Sequence, residues 1–251
     1  MSEQAALSQK EYYLLKGFPS MDLIAAFNSR HLKNMSLFYG DTRDAANNRK
    51  AFLSTLGINY LDLVCAKQVH GSKIKHVQEE DRGKGALACD TALADTDALI
   101  TDKRNLPLAI FTADCLPIFL YDPITPAIGL IHAGWRSTQE DIAVKVMALM
   151  QENFNTHPKN LLVSFGPAIR ECCYGVGEEF RKLFPGYLAQ RGGHYYLDLV
   201  GINKDKILDL GVKEANIFDA KLCTSCKNTD FFSFRREGNS CGRMMSVIML
   251  S

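Results

Sequence analysis

The amino-acid sequence predicts an α+β fold in one domain, and two observations lead to this prediction. Short apolar segments of strand length are mixed with amphipathic helical segments, without the strict strand–helix–strand order of a doubly wound sheet. The 251 residues contain no internal repeat, low-complexity segment or long linker. We therefore predict that residues 1–251 form a single domain with mixed β-sheets, to which residues 1–20 are attached loosely as a lead-in.

Composition and charge exclude several classes of protein. Hydrophobic residues make up 47% of the chain and charged residues 23%, which is typical of a globular protein in water. The formal net charge of +1 gives no electrostatic basis for binding nucleic acid or an anionic membrane. The chain has neither a signal-peptide pattern nor an apolar segment of the roughly 18 residues that span a membrane. We therefore expect a cytoplasmic protein with reduced cysteines.

One helix and several strands are predicted in the N-terminal half. Residues 44–56 carry apolar side chains at helical spacing, and Gly57 follows them as a stop signal. Polar–apolar alternation over residues 61–70 predicts a strand that ends at His70, and residues 74–77 are predicted to pair with it as a hairpin. Further short strands are predicted at residues 12–14, 23–27, 96–101 and 106–111.

A predicted β-hairpin centred near Ile124 brings a thiol close to an imidazole. Two apolar segments flank a turn with two prolines, at residues 116–121 and 127–131. Antiparallel pairing about Ile124 places Cys115 opposite about residue 133, one position from His132. Opposed Cα atoms are about 5 Å apart in such a pair, so both side chains emerge at the same hairpin end. A thiol beside an imidazole belongs to a metal site or to a nucleophile–base pair, so chemistry is predicted here.

The segment after His132 predicts a helix whose N-terminus lies beside this hairpin end. Ser137 and Glu140 have the spacing of a capping box, and an apolar stripe follows them. Free backbone N–H groups at a helix N-terminus favour anions, so an anion site is predicted here with Arg136 beside it. The C-terminal part has predicted helices at residues 178–184 and 199–210, and predicted strands at residues 161–165, 195–197, 216–218, 231–234 and 243–250.

His70, Cys115 and His132 form the candidate metal site and catalytic centre. Two imidazoles and one thiolate suit Zn²⁺, and three protein ligands leave a fourth position for water or substrate. The same ligand types fit copper, although no methionine can be assigned as the axial ligand of a blue-copper site. Two other interpretations stay open. In one interpretation, Cys115 is a nucleophile and His132 is its base. In the other, the three residues are ordinary buried side chains.

Other polar residues are candidates for supporting roles. Asp97 and Asp114 lie at predicted strand ends near the site, where each is interpreted as a general acid/base or as a partner that fixes a histidine tautomer. Arg49 and Arg136 are candidate phosphate ligands, with solvated surface arginines as the alternative. Cys223-Thr-Ser-Cys226 is interpreted as incidental, because no spacing indicates a partner for it among Cys172, Cys173 and Cys241.

Several motifs resemble those of the bacterial YfiH-type laccase-domain family, also called polyphenol oxidases. The similarity runs in order from about residue 60 to the C-terminus and implies a fold in α/β/β/α layers. It also implies a metal site at His70, Cys115 and His132. The motifs are Lys67-Gln-Val-His-Gly71, Thr96-Asp-Ala-Leu-Ile-Thr101, Thr112-Ala-Asp-Cys-Leu-Pro117, Gly129-Leu-Ile-His-Ala-Gly-Trp-Arg136, Gly166-Pro-Ala-Ile169, Cys173-Tyr174, Phe231-Phe-Ser-Phe-Arg-Arg236 and Gly242-Arg-Met244.

The resemblance further implies purine nucleoside chemistry. It implies phosphorolysis of adenosine, inosine, guanosine and methylthioadenosine to base and ribose 1-phosphate, and deamination of adenosine, while an older family label implies copper-dependent phenol oxidation. Oxidation at several copper sites needs many histidines, whereas this chain has six. We therefore expect a metal-dependent purine nucleoside phosphorylase, with zinc as its metal and copper as the alternative. A laccase-like oxidase, a Cys–His thiol hydrolase and a non-enzymatic factor are the competing hypotheses, and no oligomeric state is indicated.

The N-terminal part departs from the family pattern. Members carry Phe-Ser-Thr-Arg followed by a glycine pair, whereas Phe27-Asn-Ser-Arg30 is followed by a segment without glycine up to Ser36. Arg30 aligns with the arginine of this motif, and the resemblance makes it a third candidate phosphate ligand. A segment without glycine adopts positive-φ turns less readily, so the resemblance to the family does not extend to this turn or to the substrate preference that it implies.

Overall fold

Two β-sheets packed face to face form the centre of the structure. The structure is a computed structural model that describes residues 10–15, 17–18 and 22–251, so most of the predicted lead-in lies outside the described residues. Within the described residues, one of these sheets has five strands, the other has six, and a smaller third sheet has three. No helix in this part of the chain combines the length and the apolar character needed to cross a membrane.

The five-stranded sheet joins the two ends of the chain. Its strands are β1 (Tyr12–Leu14), β2 (Leu23–Asn28), β3 (Val64–Cys65), β6 (Leu108–Thr112) and β14 (Met244–Leu250). Their order is β1-β2-β14-β6-β3, so the last strand of the chain lies in the middle of the sheet. The strand β14 is antiparallel to both β2 and β6, and all seven of its residues are buried.

The six-stranded sheet carries the predicted hairpin at its centre. Its strands are β4 (Ile74–His76), β5 (Ala98–Thr101), β7 (Leu116–Asp122), β8 (Ala127–Ala133), β9 (Leu162–Phe165) and β13 (Ile217–Asp219). Their order is β13-β9-β7-β8-β5-β4, and every residue of β7 and β8 is buried. The third sheet is antiparallel with the order β10-β12-β11, formed by β10 (Gly175–Val176), β11 (Leu188–Arg191) and β12 (His194–Leu197).

Three apolar clusters define four layers. Between the large sheets, Ile110 and Ile248 pack in one cluster with Phe119 and Leu130. The helices α3 (Ile142–Phe154) and α5 (Leu199–Asp209) cover the outer face of the six-stranded sheet, and α1 (Ala45–Thr55) covers the outer face of the five-stranded sheet. Burial of apolar side chains on both faces of both sheets stabilises this arrangement. The predicted α+β fold in α/β/β/α layers is therefore confirmed.

The boundaries of α1 and α5 follow the signals in the sequence. Gly57 has φ +70° just after α1, and Gly211 has φ +94° just after α5. At the start of α5, the side chain of Asp198 accepts a hydrogen bond from the Gly201 N–H at 2.9 Å. A glycine at positive φ and an acidic N-cap are the expected helix ends, so both predicted helices are confirmed to within one or two residues.

The predicted strand at residues 61–70, with its hairpin partner, is wrong. Only Val64–Cys65 is a strand, and β4 pairs in parallel with β5 in the other large sheet. The side chain of Gln68 explains the early end, because its amide accepts from the Phe111 N–H at 2.8 Å and donates to the Phe111 carbonyl at 2.9 Å. The Gln68 side chain therefore replaces the backbone hydrogen bonds of a strand pair. The chain then passes from one large sheet to the other through His70, which has φ +63°.

The helix predicted after His132 begins earlier and is interrupted. A short helix, α2 (Trp135–Gln139), precedes α3, and Asp141 between them has φ +59°. Ser137 lies inside α2, where its hydroxyl accepts from the Gly134 N–H at 2.8 Å, so it is not the N-cap. Two more predictions need correction. The helix near residues 178–184 is only α4 (Phe180–Leu183), and residues 231–233 form no strand but lead without regular structure into α6 (Phe234–Glu237).

Candidate active site

The register of the β7–β8 hairpin brings Cys115 and His132 to one sheet edge. Leu116 pairs with Ala133 and Pro117 pairs with His132, so the hairpin is centred between residues 124 and 125. Cys115 therefore lies opposite Gly134, one position further along than predicted. Paired residues point to the same face, and residues two apart share a face, so Cys115 and His132 lie on one side of the hairpin.

His70 completes a cluster of three metal-binding side chains. It arrives from the loop between β3 and β4, where the chain passes from one large sheet to the other. One ligand atom from each of His70, Cys115 and His132 lies within 4.8 Å of the other two. The two imidazole rings meet edge to face, with ring centroids 4.8 Å apart. The residues predicted as a triad are therefore brought together, although His70 does not lie at a strand end.

The carboxylate of Asp97 contacts both histidines of the triad, the ring of His132 and the backbone of His70. It directly precedes β5, is fully buried, and its Oδ1 lies 2.8 Å from Nδ1 of His132. The same carboxylate accepts hydrogen bonds from the backbone N–H groups of His70 at 2.9 Å and Gly71 at 2.9 Å. A buried carboxylate with these partners fixes the tautomer of His132 and leaves its Nε2 for the cluster. Of the two roles considered for Asp97, these contacts support positioning.

The cluster favours a thiolate beside a protonated imidazole when no metal is bound. Burial opposes ionisation of Cys115, but the charges and hydrogen bonds of His132 and His70 outweigh it and lower the thiol pKa to about 6. Burial likewise opposes protonation of His132, but Cys115 and Asp97 together raise the pKa of the ring to about 9. The thiol is thus already ionised at neutral pH, which is the form that binds metals and attacks electrophiles.

Gly134 lies directly against the cluster, where the Cβ atom of any other residue would be crowded. A Cβ atom at this position would lie 3.2 Å from the Cys115 sulfur and 3.3 Å from Cδ2 of His70. Both distances are shorter than ordinary van der Waals contacts. Gly134 also caps α2, so a close backbone approach and a helix start coincide beside the triad.

A cavity of about 750 Å³ opens above the triad. Its size lies within the range of small-molecule sites. Aromatic side chains and four cations share its wall with Asp114 and the triad. The aromatic residues are Phe38, Tyr39, Phe111, Trp135, Tyr174 and Phe234, and the cations are Lys67, Arg136, Arg235 and Arg243.

Asp114 lies on the cavity wall next to Cys115, in a strained backbone conformation with φ +94°. Its Oδ1 accepts from the Thr224 hydroxyl at 2.6 Å, and its Oδ2 accepts from the Arg235 N–H at 2.7 Å. Both carboxylate oxygens are therefore engaged by the protein. These contacts support a role in positioning Arg235 and the turn that holds Thr224.

The three predicted phosphate ligands have different surroundings. Arg136 is exposed on the cavity wall, with its guanidinium 4.4 Å from the ring centroid of Trp135. Arg30 is not among the residues that line the cavity, and it forms an ion pair with Glu237 at 3.1 Å. Arg49 is only 1% exposed and donates to carbonyl groups within the core. The prediction of Arg49 as a phosphate ligand therefore needs correction, because its cation is used to bind backbone.

Several residues of this region were missed or misjudged from the sequence. Lys67, Tyr174, Arg235 and Arg243 line the cavity and lie within motifs that resemble the family, but they are not among the predicted site residues. The Cys223-x-x-Cys226 pair, interpreted as incidental, lies beside Cys172 and Cys173. Two adjacent cysteines that follow one strand were the available signal, but only the tertiary structure brings the segments together.

The triad fits a bound metal ion. Its donors are two imidazoles and one thiolate, a set that suits zinc and copper. The carboxylate of Asp97 behind His132 is the partner that metal-binding histidines usually have. The low pKa of Cys115 provides the deprotonated sulfur that a metal requires.

The chain is similar to several known proteins. The chain is 38% identical to the purine nucleoside phosphorylase YlmD of Geobacillus stearothermophilus over 225 residues, which cover 86% of this chain and 82% of that protein. It is 32% identical to the adenosine deaminase RL5 of an unknown prokaryotic organism, over 77% of each chain. The crystal structure of the hypothetical protein YfiH of Bacillus licheniformis superposes with a TM-score of 0.91 at 32% identity, over 98% of each chain.

The family resemblance inferred from the motifs is confirmed. A family model matches residues 27–251, which include the triad, Asp97 and the segments that line the cavity. This chain therefore belongs to the multi-copper polyphenol oxidoreductase laccase family.

Proposed function

We propose that this protein is a metal-dependent purine nucleoside phosphorylase that also deaminates adenosine. The observation that carries the proposal is the His70–Cys115–His132 cluster at a cavity that contains both cations and aromatic rings. A nucleoside needs an aromatic surface for its base, and phosphate needs cations. The names of the relatives, a purine nucleoside phosphorylase and an adenosine deaminase, support the same substrates.

His70, Cys115 and His132 would hold the metal ion, for which we propose zinc. When bound, zinc supplies a Lewis acid that polarises a substrate atom and makes water more acidic. Asp97 keeps His132 oriented, and Gly134 lets the backbone approach the cluster closely. These contacts are available before substrate arrives, so little reorganisation is needed.

Phosphate would be bound by the cations of the cavity wall. Arg136 presents a planar guanidinium that suits two phosphate oxygens, and Lys67 adds a second exposed positive charge. In phosphorolysis, a phosphate oxygen forms a bond to C1′ of the ribose while the bond from C1′ to the purine nitrogen breaks. Cations that neutralise phosphate allow it to approach the sugar in the orientation required for this displacement.

The nucleoside would lie against the aromatic part of the wall. Trp135, Tyr174 and Phe234 offer ring faces on which a purine stacks. Burial raises the pKa of Tyr174, so its phenol keeps the proton and can donate a hydrogen bond to the substrate. For deamination, the same cavity would hold adenosine while water replaces the amino group at C6 of the purine and ammonia leaves.

The donor set favours this proposal over oxidation of phenols. The described residues contain two groups of three or more potential metal ligands, the triad with two histidines and a group of four cysteines with none. Oxidation at several coppers relies on sites rich in imidazole. The thiolate–imidazolium pair of Cys115 and His132 does favour a second candidate, a Cys–His thiol hydrolase, which has no requirement for a metal.

Product analysis with and without phosphate tests the proposal. Purified protein is incubated with inosine or adenosine, and products are separated by chromatography. We expect free base and ribose 1-phosphate only when phosphate is present, and inosine from adenosine in either case. Cys115→Ala should lose both reactions, whereas Cys89→Ala, which changes an exposed free thiol outside the cavity, should keep them. Absence of all reaction in the wild-type protein would overturn the proposal.

Metal removal separates the competing activities. Treatment with a chelator should abolish phosphorolysis, and added zinc should restore it. Oxidation of catechol under O₂ in proportion to copper content would instead identify an oxidase. Inactivation by alkylation of Cys115 together with full resistance to chelators would identify a thiol hydrolase.

A further inference from the structure

Four cysteines outside the triad meet at the edge of the six-stranded sheet. The strands β9 and β13 are parallel neighbours, so the segments that follow them leave the same edge side by side. Cys172 and Cys173 belong to the segment after β9, and Cys223 and Cys226 belong to the segment after β13. All four sulfur atoms lie within 4.8 Å of one another.

The spacing of these sulfur atoms suits metal ligands and not disulfides. The Cys226 sulfur lies 3.4 Å from that of Cys172 and 3.3 Å from that of Cys173. A disulfide bond measures only about 2.05 Å. Four sulfurs placed about 2.3 Å from a tetrahedral zinc ion are about 3.8 Å from one another. The four thiols therefore need only small adjustments to surround one ion.

Backbone hydrogen bonds fix the two cysteine segments against each other. Ala168 donates to the Leu222 carbonyl at 3.2 Å, and Thr224 donates to the Ala168 carbonyl at 3.1 Å. The Lys227 N–H donates to the Cys223 carbonyl at 3.0 Å, which closes the turn that carries Cys223 and Cys226. A C-x-x-C turn presents two thiolates to one metal ion. The cluster is thus built into the backbone, not assembled from mobile side chains.

The cysteine cluster is also linked to the wall of the active-site cavity. Thr224 lies within the C-x-x-C turn, and its hydroxyl donates to Asp114, which precedes Cys115. Arg236 donates to the carbonyl groups of Thr224 at 3.0 Å and Ser225 at 2.9 Å. On the other segment, Tyr174 follows Cys173 directly and lines the cavity. An ion bound by the four sulfurs would therefore hold two parts of the cavity wall in place, Tyr174 and the turn of Thr224 that contacts Asp114.

We propose that Cys172, Cys173, Cys223 and Cys226 bind a second zinc ion, separate from the metal of the triad. Zinc fits because a set of four thiolates is a common closed structural site for this ion. Four protein ligands leave no position for substrate, so the ion has a structural role. On binding, the thiols that are protonated release their protons to solvent. The role of this ion is to hold Tyr174 and the turn of Thr224 in place at the cavity.

Zinc content measured by elemental analysis tests the proposal. Protein is purified under reducing conditions with zinc in the medium. The double variant Cys223→Ser/Cys226→Ser should contain one zinc ion per chain fewer than the wild-type protein, and Cys89→Ser should contain the same amount. Cys115→Ala tests the triad separately, so failure at one site is distinguishable from failure at the other. Equal zinc content in the double variant and the wild type, or iron in place of zinc, would overturn the proposal.

Alkylation provides a test that needs no variant. Cys172, Cys226 and Cys89 are all exposed, but only the first two belong to the cluster. Zinc-loaded protein treated with iodoacetamide should be modified at Cys89 and protected at Cys172 and Cys226, as mapped by mass spectrometry. Removal of zinc by a chelator should expose both cluster thiols to modification. Equal modification before and after chelation, or a disulfide within the cluster of freshly purified protein, would contradict a zinc site.

Discussion

The carboxylate of Asp97 contacts the ring of His132 at 2.8 Å and the backbone N–H of His70 at 2.9 Å, so one buried group supports two of the three triad residues. His70 arrives through a loop at positive φ, and His132 arrives on a central strand. Neither element alone determines the distance between the two imidazoles. The shared carboxylate does, because it anchors the loop to the strand that carries the other ring.

Asp97→Asn is expected to weaken metal binding and catalysis. The amide offers one acceptor oxygen where the carboxylate offers two, so it cannot serve the His132 ring and all the N–H groups together. We expect a loss of about 10- to 100-fold in metal affinity or in kcat/KM for phosphorolysis. Metal affinity is measured by competition with a coloured chelator. Asp102→Asn, which changes a half-exposed carboxylate just after the same strand, should retain wild-type values; equal values for both variants would refute the role of Asp97.

Gly134→Ala is expected to disturb the triad without unfolding the protein. The added methyl group would lie 3.2 Å from the Cys115 sulfur and 3.3 Å from the His70 ring, so the ligands must move apart by a few tenths of an ångström. We expect a fall of about tenfold or more in activity, since a small misplacement of reacting groups is costly. Gly71→Ala is the matched control, because a Cβ there has its nearest neighbours at 3.7 Å. Similar activity of the two variants would argue against crowding at the triad.

The sequence predicted the elements whose signals are local. The hairpin around Ile124 was placed to within one residue, because two apolar segments and a turn with two prolines specify its register. The helices α1 and α5 were predicted because a glycine stops each of them. The triad residues themselves were identified from residue types at the ends of apolar segments. A local sequence pattern was therefore sufficient to predict the hairpin and the two helices, because each has a standard geometry.

Long-range contacts explain what the sequence did not reveal. The strand ending at His70 was wrong because a single side chain, Gln68, replaces backbone pairing with Phe111. Arg49 was predicted as a phosphate ligand, with a solvated surface arginine as the alternative, yet it is buried and donates to carbonyl groups of distant segments. The Cys223-x-x-Cys226 pair was judged incidental because no spacing indicates a partner for it. Its partners, Cys172 and Cys173, lie some fifty residues away along the chain, and a parallel strand pair brings the two segments together. Each error concerns a residue whose partners lie in another segment.

Alkylation of metal-free protein should reveal an acidic thiol at Cys115. The pKa is lowered from 9.0 to about 6, so the reactive thiolate is present at neutral pH and is lost only below about pH 6. We expect the rate of modification by iodoacetamide to rise with pH through an inflection near 6. His132→Asn removes a positive charge beside the sulfur, so the inflection should move to higher pH. An inflection that is the same in both proteins would show that His132 does not control the thiol.

Arg136→Ala is expected to weaken phosphate binding in particular. A charge-assisted hydrogen bond contributes about 1.5 to 3 kcal/mol, which corresponds to a rise of about tenfold or more in the KM for phosphate. Deamination of adenosine uses no phosphate, so its rate should change little. Arg43→Ala removes an exposed arginine that pairs with Asp41 and does not line the cavity, so it serves as the control. Equal losses in phosphorolysis and deamination would show that Arg136 has a general structural role.

Arg49→Ala is expected to destabilise the fold while leaving phosphate binding intact. The guanidinium donates to the carbonyl groups of Met35 at 2.7 Å and of Gly85 at 2.8 Å, and it lies 4.6 Å from the ring centroid of Phe111. Removal leaves buried carbonyl groups without donors, at a cost of about 3 kcal/mol in the free energy of unfolding. Urea denaturation measures this loss.

The neighbouring Lys50 supplies the control for that experiment. Lys50→Ala changes an exposed cation on the same helix and should alter stability by less than about 0.5 kcal/mol. Below its unfolding temperature, the Arg49→Ala protein should keep the wild-type KM for phosphate, because the Arg49 guanidinium is bound to backbone and does not line the cavity. A rise in the KM for phosphate with unchanged stability would show that Arg49 binds phosphate. Loss of stability alone would instead establish that this cation stabilises the segments behind the cavity.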